Sequence, residues 1–93
     1  MDIKIKTRPS NMGWHFTVTV TDEKGPGIYN VTMDKDFVTR IGAQLQPEKV
    51  VEKSFEFLLE KGPKEKILEE FDITIISHYY PDFISEIEKK LIF

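Results

Sequence analysis

The stretch PEKVVEKSFEFLLEK, from Pro47 to Lys61, constrains this chain more than any other, because its apolar residues fit one periodicity only. Val50, Val51, Ser54, Phe55, Leu58 and Leu59 build a wide apolar stripe on a helix of about 3.6 residues per turn. Pro47 suits the first helical position, where its missing N–H is not needed, and Gly62 followed by Pro63 ends the helix. Such a helix must bury its apolar side, so the rest of the chain has to supply a matching surface.

The N-terminal third supplies it. Ile3, Ile5 and Thr7 alternate with Lys4, Lys6 and Arg8, which predicts a strand over 2–8 whose lysine-rich face is solvated and suits a sheet edge. Pro9 and Asn11 punctuate a turn. From Gly13 the alternation restarts, with Trp14, Phe16, Val18 and Val20 facing one way and His15, Thr17, Thr19 and Thr21 the other. The run Asp22 to Gly27 is rich in Gly and Pro and reads as a connection, leading to a third strand over 28–33 with Tyr29, Val31 and Met33 on its apolar face.

Helical patterns fill the remainder. Asp34 or Asp36 can cap a short helix carrying Phe37, Val38 and Ile41, with Gly42 as its left-handed end and Ala43 to Gln46 as a link. Pro63 opens a further helix through Glu70, with Ile67, Leu68 and Phe71 on its apolar side. In Asp72 to Tyr80 the β-branched content favours a strand, whereas Asp72 is a good cap and Phe71, Ile75, Ile76 and Tyr79 fall at helical spacing. A short helix is preferred there, with a fourth strand at 72–78 as the alternative. Phe83, Ile84, Ile87 and Leu91 line a last helix, with Lys89 and Lys90 near its C-terminus, and the closing Leu-Ile-Phe is expected to dock on the fold or on a neighbour. The expected architecture is α+β in a single domain, 1–93: a three-stranded antiparallel sheet, 2–33, covered on one face by three to four C-terminal helices, 34–93.

Composition narrows the function classes. The formal charge of -3 divides into +1 over residues 1–45, from six basic and five acidic side chains, and -4 over 46–93, from seven and eleven. An acidic helical half is a poor partner for a phosphate backbone. Cysteine is absent, which rules out disulfides, thiolate metal sites and a cysteine nucleophile. No apolar run resembles a signal peptide or a membrane span, so a cytoplasmic protein without membrane attachment is expected.

No spacing points to a reaction. His15 lies on the polar face of the second strand and His78 beside Tyr79 and Tyr80, so a metal site would need carboxylates from segments that the sequence does not bring together. No metal, cofactor or catalytic residue is assigned, and the chain is read as leaning away from an enzyme. Gly25-Pro26-Gly27 lacks the lysine and the strand-to-helix setting of a phosphate loop. The candidate interaction surface is the ridge of Glu48, Glu52, Glu56 and Glu60 at four-residue steps, like charges that Lys49 and Lys53 partly offset. The alternative is a basic surface of Lys4, Lys6, Arg8 and His15, weakened as a nucleic-acid platform because the aromatics Trp14 and Phe16 sit on the opposite, core-facing side. Arg40 is expected to pair with Asp36, and Asp72, His78 and Tyr79 form the one cluster worth inspecting for chemistry.

The segments Ser54-Phe55-Glu56-Phe57-Leu58-Leu59 and Phe71-Asp72 to Tyr79-Tyr80-Pro81, behind a Thr/Val-rich hairpin, resemble a family of small bacterial and cyanobacterial proteins of unknown function. Tyr80 departs from the phenylalanine of that pattern. The hairpin alone is also similar to antitoxins of bacterial toxin–antitoxin pairs, a likeness that stops at the helical half. The family resemblance implies bacterial origin and adds no catalytic residue. The resulting expectation is a small cytoplasmic protein-interaction or structural protein, with a protein partner or a homodimer. A nucleic-acid-associated regulator using the basic strand face is the alternative, and a small enzyme near residues 72–79 the third reading.

Overall fold

A computed structural model of the chain describes residues 1–41 and 47–92, without the side chain of Ile92. The expected cap at Gly42, the link Ala43 to Gln46 and the docking of Ile92 and Phe93 side chains lie outside what it describes. Four strands, β1 (Asp2–Pro9), β2 (Gly13–Asp22), β3 (Gly25–Asp34) and β4 (Glu70–Asp72), form one sheet in the order β1-β2-β3-β4. The helices are α1 (Lys35–Arg40), α2 (Pro47–Lys61), α3 (Ile76–Tyr79) and α4 (Phe83–Ile92). The α+β reading therefore holds, as a mixed sheet of four strands covered on one face by C-terminal helices.

Alternation does what it predicts in β1, β2 and β3. Phe16, Val18, Val20, Tyr29, Val31 and Met33 are all buried, in one core with Val50, Val51 and Phe55 of α2. The hairpin between β2 and β3 is tighter than the sequence suggests: Asp22 pairs with Gly25, Thr21 with Pro26 and Val20 with Gly27, so the Gly-Pro-Gly run belongs to the strand. Only Glu23 and Lys24 lie outside the ladder, neither with positive φ, and the left-handed residue is Gly25 at φ 107°. A glycine at that place closes a hairpin without the steric cost that a Cβ would incur. Asp22 Oδ1 accepts the Lys24 N–H at 2.9 Å and fixes the turn.

The segment 63–70 is not the expected helix. Only Lys64–Lys66 forms a single 3₁₀ turn, Ile67 is extended at ψ 135°, and the chain then pairs with β3 as the parallel strand β4. An eight-residue helix has little to offset its nucleation cost, whereas the free edge of β3 offers backbone partners such as the Asn30 N–H, which donates to the Glu69 carbonyl at 2.8 Å. The fourth strand thus exists but ends at Asp72 instead of spanning 72–78. Asp72 then starts the preferred helical segment: its Oδ1 accepts the Thr74 N–H at 3.0 Å and the Thr74 hydroxyl at 2.6 Å, capping a 3₁₀ turn (Ile73–Ile75) that runs into α3.

Two contacts lock this connector down. Lys64 is 5 % exposed, and its ammonium lies 2.7 Å from Glu65 Oε2 and 3.0 Å from Asp22 Oδ1, tying the 3₁₀ turn to the hairpin tip. Tyr29 donates its hydroxyl to the Lys64 carbonyl at 2.6 Å. On the other side of α2, Phe57 is buried between Phe83, at 5.4 Å between ring centroids, and Tyr80, at 5.6 Å. Its place on the helix follows from lying seven residues after Val50 and three after Ser54, so the apolar stripe is wider than the six residues that defined it. Leu58 and Leu59 are only half-buried.

Phe57→Ala is expected to lower stability by about 3–5 kcal/mol, measured as the urea midpoint of Trp14 fluorescence; a loss below about 1 kcal/mol would show that α4 does not depend on this ring. Acid and alkali probe the Lys64 cluster. The hydrogen bond from Lys64 is the largest influence on both Asp22 and Glu65 and holds each carboxyl below its ordinary value of 3.8 and 4.5. The stability they contribute is complete above those values and is lost as pH falls through the lower folded ones. Lys64 is raised above 10.5, first by Glu65 and then by Asp22, so its contribution is complete below that pH and is lost on going higher. Stability should be level near neutrality and fall at both ends. Lys64→Met, which keeps the packing, should remove both limbs of this cluster; an unchanged acid limb would sink the assignment.

Candidate functional site

The covering helices leave a concavity beside α2 and α3. Leu58, at the centre of the apolar stripe of α2, packs against the core but is incompletely covered. Together with Ile67, Leu68, Phe71 and Tyr79 it lines an apolar groove of about 270 Å³. Its origin is local. Residues 67–69 form no helix and lead into β4, which pairs with β3 instead of lying over the last turns of α2, while α3 is a single turn of helix. Leu68 and Tyr79 remain 51 % and 66 % exposed on the groove's flanks, the kind of uncovered apolar surface that marks an interaction site.

Two lysines stand at the mouth. Lys61 Nζ lies 5.0 Å from the centroid of Phe57 and 5.8 Å from that of Tyr80, with Asp82 Oδ2 at 3.7 Å. Lys66 also lines the groove, is exposed and forms no ion pair among the described residues. An occupant with apolar side chains and a nearby negative charge fits this arrangement. Sequence periodicity could have signalled the groove only through a mismatch: an apolar helix face followed by a connector too short to cover it.

The glutamate ridge is engaged within the chain. Glu48 accepts from the Thr7 hydroxyl at 2.9 Å, Glu52 pairs with Lys49 at 3.5 Å, Glu56 with Lys53 at 3.3 Å and Glu60 with Lys90 at 2.8 Å. Those contacts relieve the like-charge repulsion expected along the helix.

The basic residues lie on the sheet face away from the helices. Lys4, Lys6 and Arg8 stand opposite Thr19, Thr17 and His15 across the β1–β2 ladder, so all four predicted residues do share a face. His15 Nε2 donates to Asn30 Oδ1 at 3.2 Å, and the row continues through Thr32 to Glu70 and Asp72 on β4. This face runs from cationic at β1 to anionic at β4. Trp14 and Phe16 belong to the covered side, where Phe16 is fully buried, and the open face carries no Phe, Tyr or Trp ring among the described residues.

The residues singled out for chemistry do not converge. Burial opposes ionisation of Asp72, but hydrogen bonds from the Thr74 hydroxyl and N–H and from Thr32, at 2.8 Å, outweigh it and hold the carboxyl below 3.8. Those bonds sit at the open face, whereas Tyr79 flanks the groove, and no hydrogen bond joins Asp72 to His78 or Tyr79 among the described residues. His78 is exposed. Arg40 is exposed as well and, among the described residues, makes no ion pair with Asp36, contrary to the spacing argument.

Asp72→Ala removes the cap and should cost about 1 kcal/mol of stability at neutral pH, with a loss that shrinks as pH falls below 3.8, where the unfolded carboxylate takes up its proton before the folded one; a loss that does not change with pH would contradict its role. Comparison with models of known protein families, with curated proteins and with solved structures yields no match.

Proposed function

We propose that the protein is a small protein-interaction module that receives an apolar segment of a partner in the groove beside α2 and α3. The observation that carries this reading is the incomplete cover over Leu58, flanked by the exposed side chains of Leu68 and Tyr79. A partner side chain entering there would remove apolar area from water at roughly 25 cal/mol per Å², and Lys66 would favour an acidic neighbour on that segment. The reading carries with it a bacterial cytoplasmic setting without a catalytic step, and it makes a homodimer through the same groove the competing occupant. The ridge of Glu48, Glu52, Glu56 and Glu60 is a weaker docking surface, since a partner would have to replace contacts already formed.

Leu68→Asp tests the groove with little risk to folding, because the side chain is half-exposed. Immobilised wild-type protein should retain a defined partner from extracts of its source cells, and the variant should retain at least about tenfold less. Equal retention by the two proteins would overturn the reading. Sedimentation of the wild type at increasing concentration separates the homodimer, which would appear as a doubled mass that Leu68→Asp abolishes.

A further inference from the structure

The second unfilled position is the outer edge of β1, and the hydrogen-bond phase shows what it offers. Ser10 donates its N–H to the Gly13 carbonyl at 2.9 Å, so in the ladder that follows Pro9 and Trp14 face each other without bonding, and the bonded pairs are Arg8 with His15, Lys6 with Thr17 and Lys4 with Thr19. Ile3, Ile5 and Thr7 therefore direct their N–H and C=O groups away from β2. Pro9, which has no N–H, falls in the same outward phase, where its lack costs the ladder nothing. Among the described residues no strand pairs with this edge.

The side chains along the edge are sorted by charge. Lys4, Lys6 and Arg8 project on the open face. On the helix side Ile3 and Ile5 are half-buried and floor a cavity of about 170 Å³ whose other wall is Glu48, Lys49 and Glu52 of α2. A strand added here would set alternate residues beside three cations and the intervening ones over two isoleucines.

We infer that β1 accepts an extended segment of a partner protein in which acidic and apolar residues alternate. Backbone bonds to Ile3, Ile5 and Thr7 supply the attachment, and the two rows of side chains supply the choice of partner. A second copy of β1 is a poor occupant. Antiparallel pairing centred on Ile5 would set Lys4 against Lys6 of the other copy, and pairing centred on Lys4 would set that lysine against itself, both destabilising. The edge lysines thus act against self-association while leaving the strand open to an acidic one. The inference is independent of the groove beside α3, which β1 does not line.

The test uses the full chain and two blocked synthetic peptides, one alternating Val and Glu, the other alternating Val and Lys. The Val/Glu peptide should slow hydrogen exchange at the amides of Ile3, Ile5 and Thr7, and the Val/Lys peptide should bind at least about tenfold more weakly. Lys4→Glu/Lys6→Glu, at two exposed positions, should reverse that preference. Unchanged exchange at these amides, or equal protection by both peptides, would overturn the inference. Protection that appears without peptide and grows with protein concentration would also overturn it, by making a second copy the occupant.

Discussion

A sheet that is apolar on one face has to be covered, and in this protein the cover is pinned through a single ring. Phe55 is fully buried, with its centroid 5.6 Å from that of Tyr29 on β3 and 6.2 Å from that of Phe71 on β4. It therefore joins the central helix to two strands distant in sequence from each other. Tyr29 in turn reaches the Lys64 carbonyl, and Lys64 reaches Asp22 at the hairpin tip. Buried polar groups along this path are matched: among the described residues no buried side-chain nitrogen or oxygen lacks a partner. Lys64 can lie under the surface because two carboxylates meet it there, which is the condition for burying a charge.

The second layer depends on the first. With α2 fixed to the sheet, its flank bearing Phe57 meets α4 through Phe83, and Phe83 stacks on Phe37 of α1 at 6.4 Å. Aromatic contacts of this kind tolerate tilted and edge-on arrangements, so they can join helices that cross without a regular seam. The order of dependence runs from sheet to central helix to terminal helix, and the chain follows it in sequence.

What the sequence makes legible follows the range of each interaction. Strands β1 to β3 and helices α2 and α4 are visible because burial on one side imposes a period of two or about 3.6 on the residues themselves. Two features escape for lack of a local mark. Nothing in Glu70-Phe71-Asp72 announces a strand; it becomes one because β3 has a free edge within reach. Likewise Lys64 looks like any surface lysine until the hairpin tip is brought against it. Phe57 is a different case, since its spacing from Val50 and Ser54 does mark it, and only the narrower stripe hides it. Of the residues marked for function, the basic row is correctly grouped by alternation alone. The groove is not, because a cavity is defined by what fails to cover it.

The allocation of residues 63–79 leaves the groove open and decides which edge of the sheet is protected. Had this segment formed the helix that its spacing permits, it could have lain across Leu58, closing the groove and leaving the far edge of β3 unpaired. Pairing as β4 instead covers the middle of that edge, Asn30 to Thr32, and leaves a single-turn α3 beside the groove. The sheet then has one protected edge and one open edge, and the open one carries Lys4, Lys6 and Arg8. Charged side chains on an exposed strand ordinarily keep like strands apart. Here the same three cations are opposed, across the sheet face, by Glu70 and Asp72 on the short protecting strand. The open face is therefore polarised along the direction in which a sheet grows, and an added strand meets positive charge on its way in.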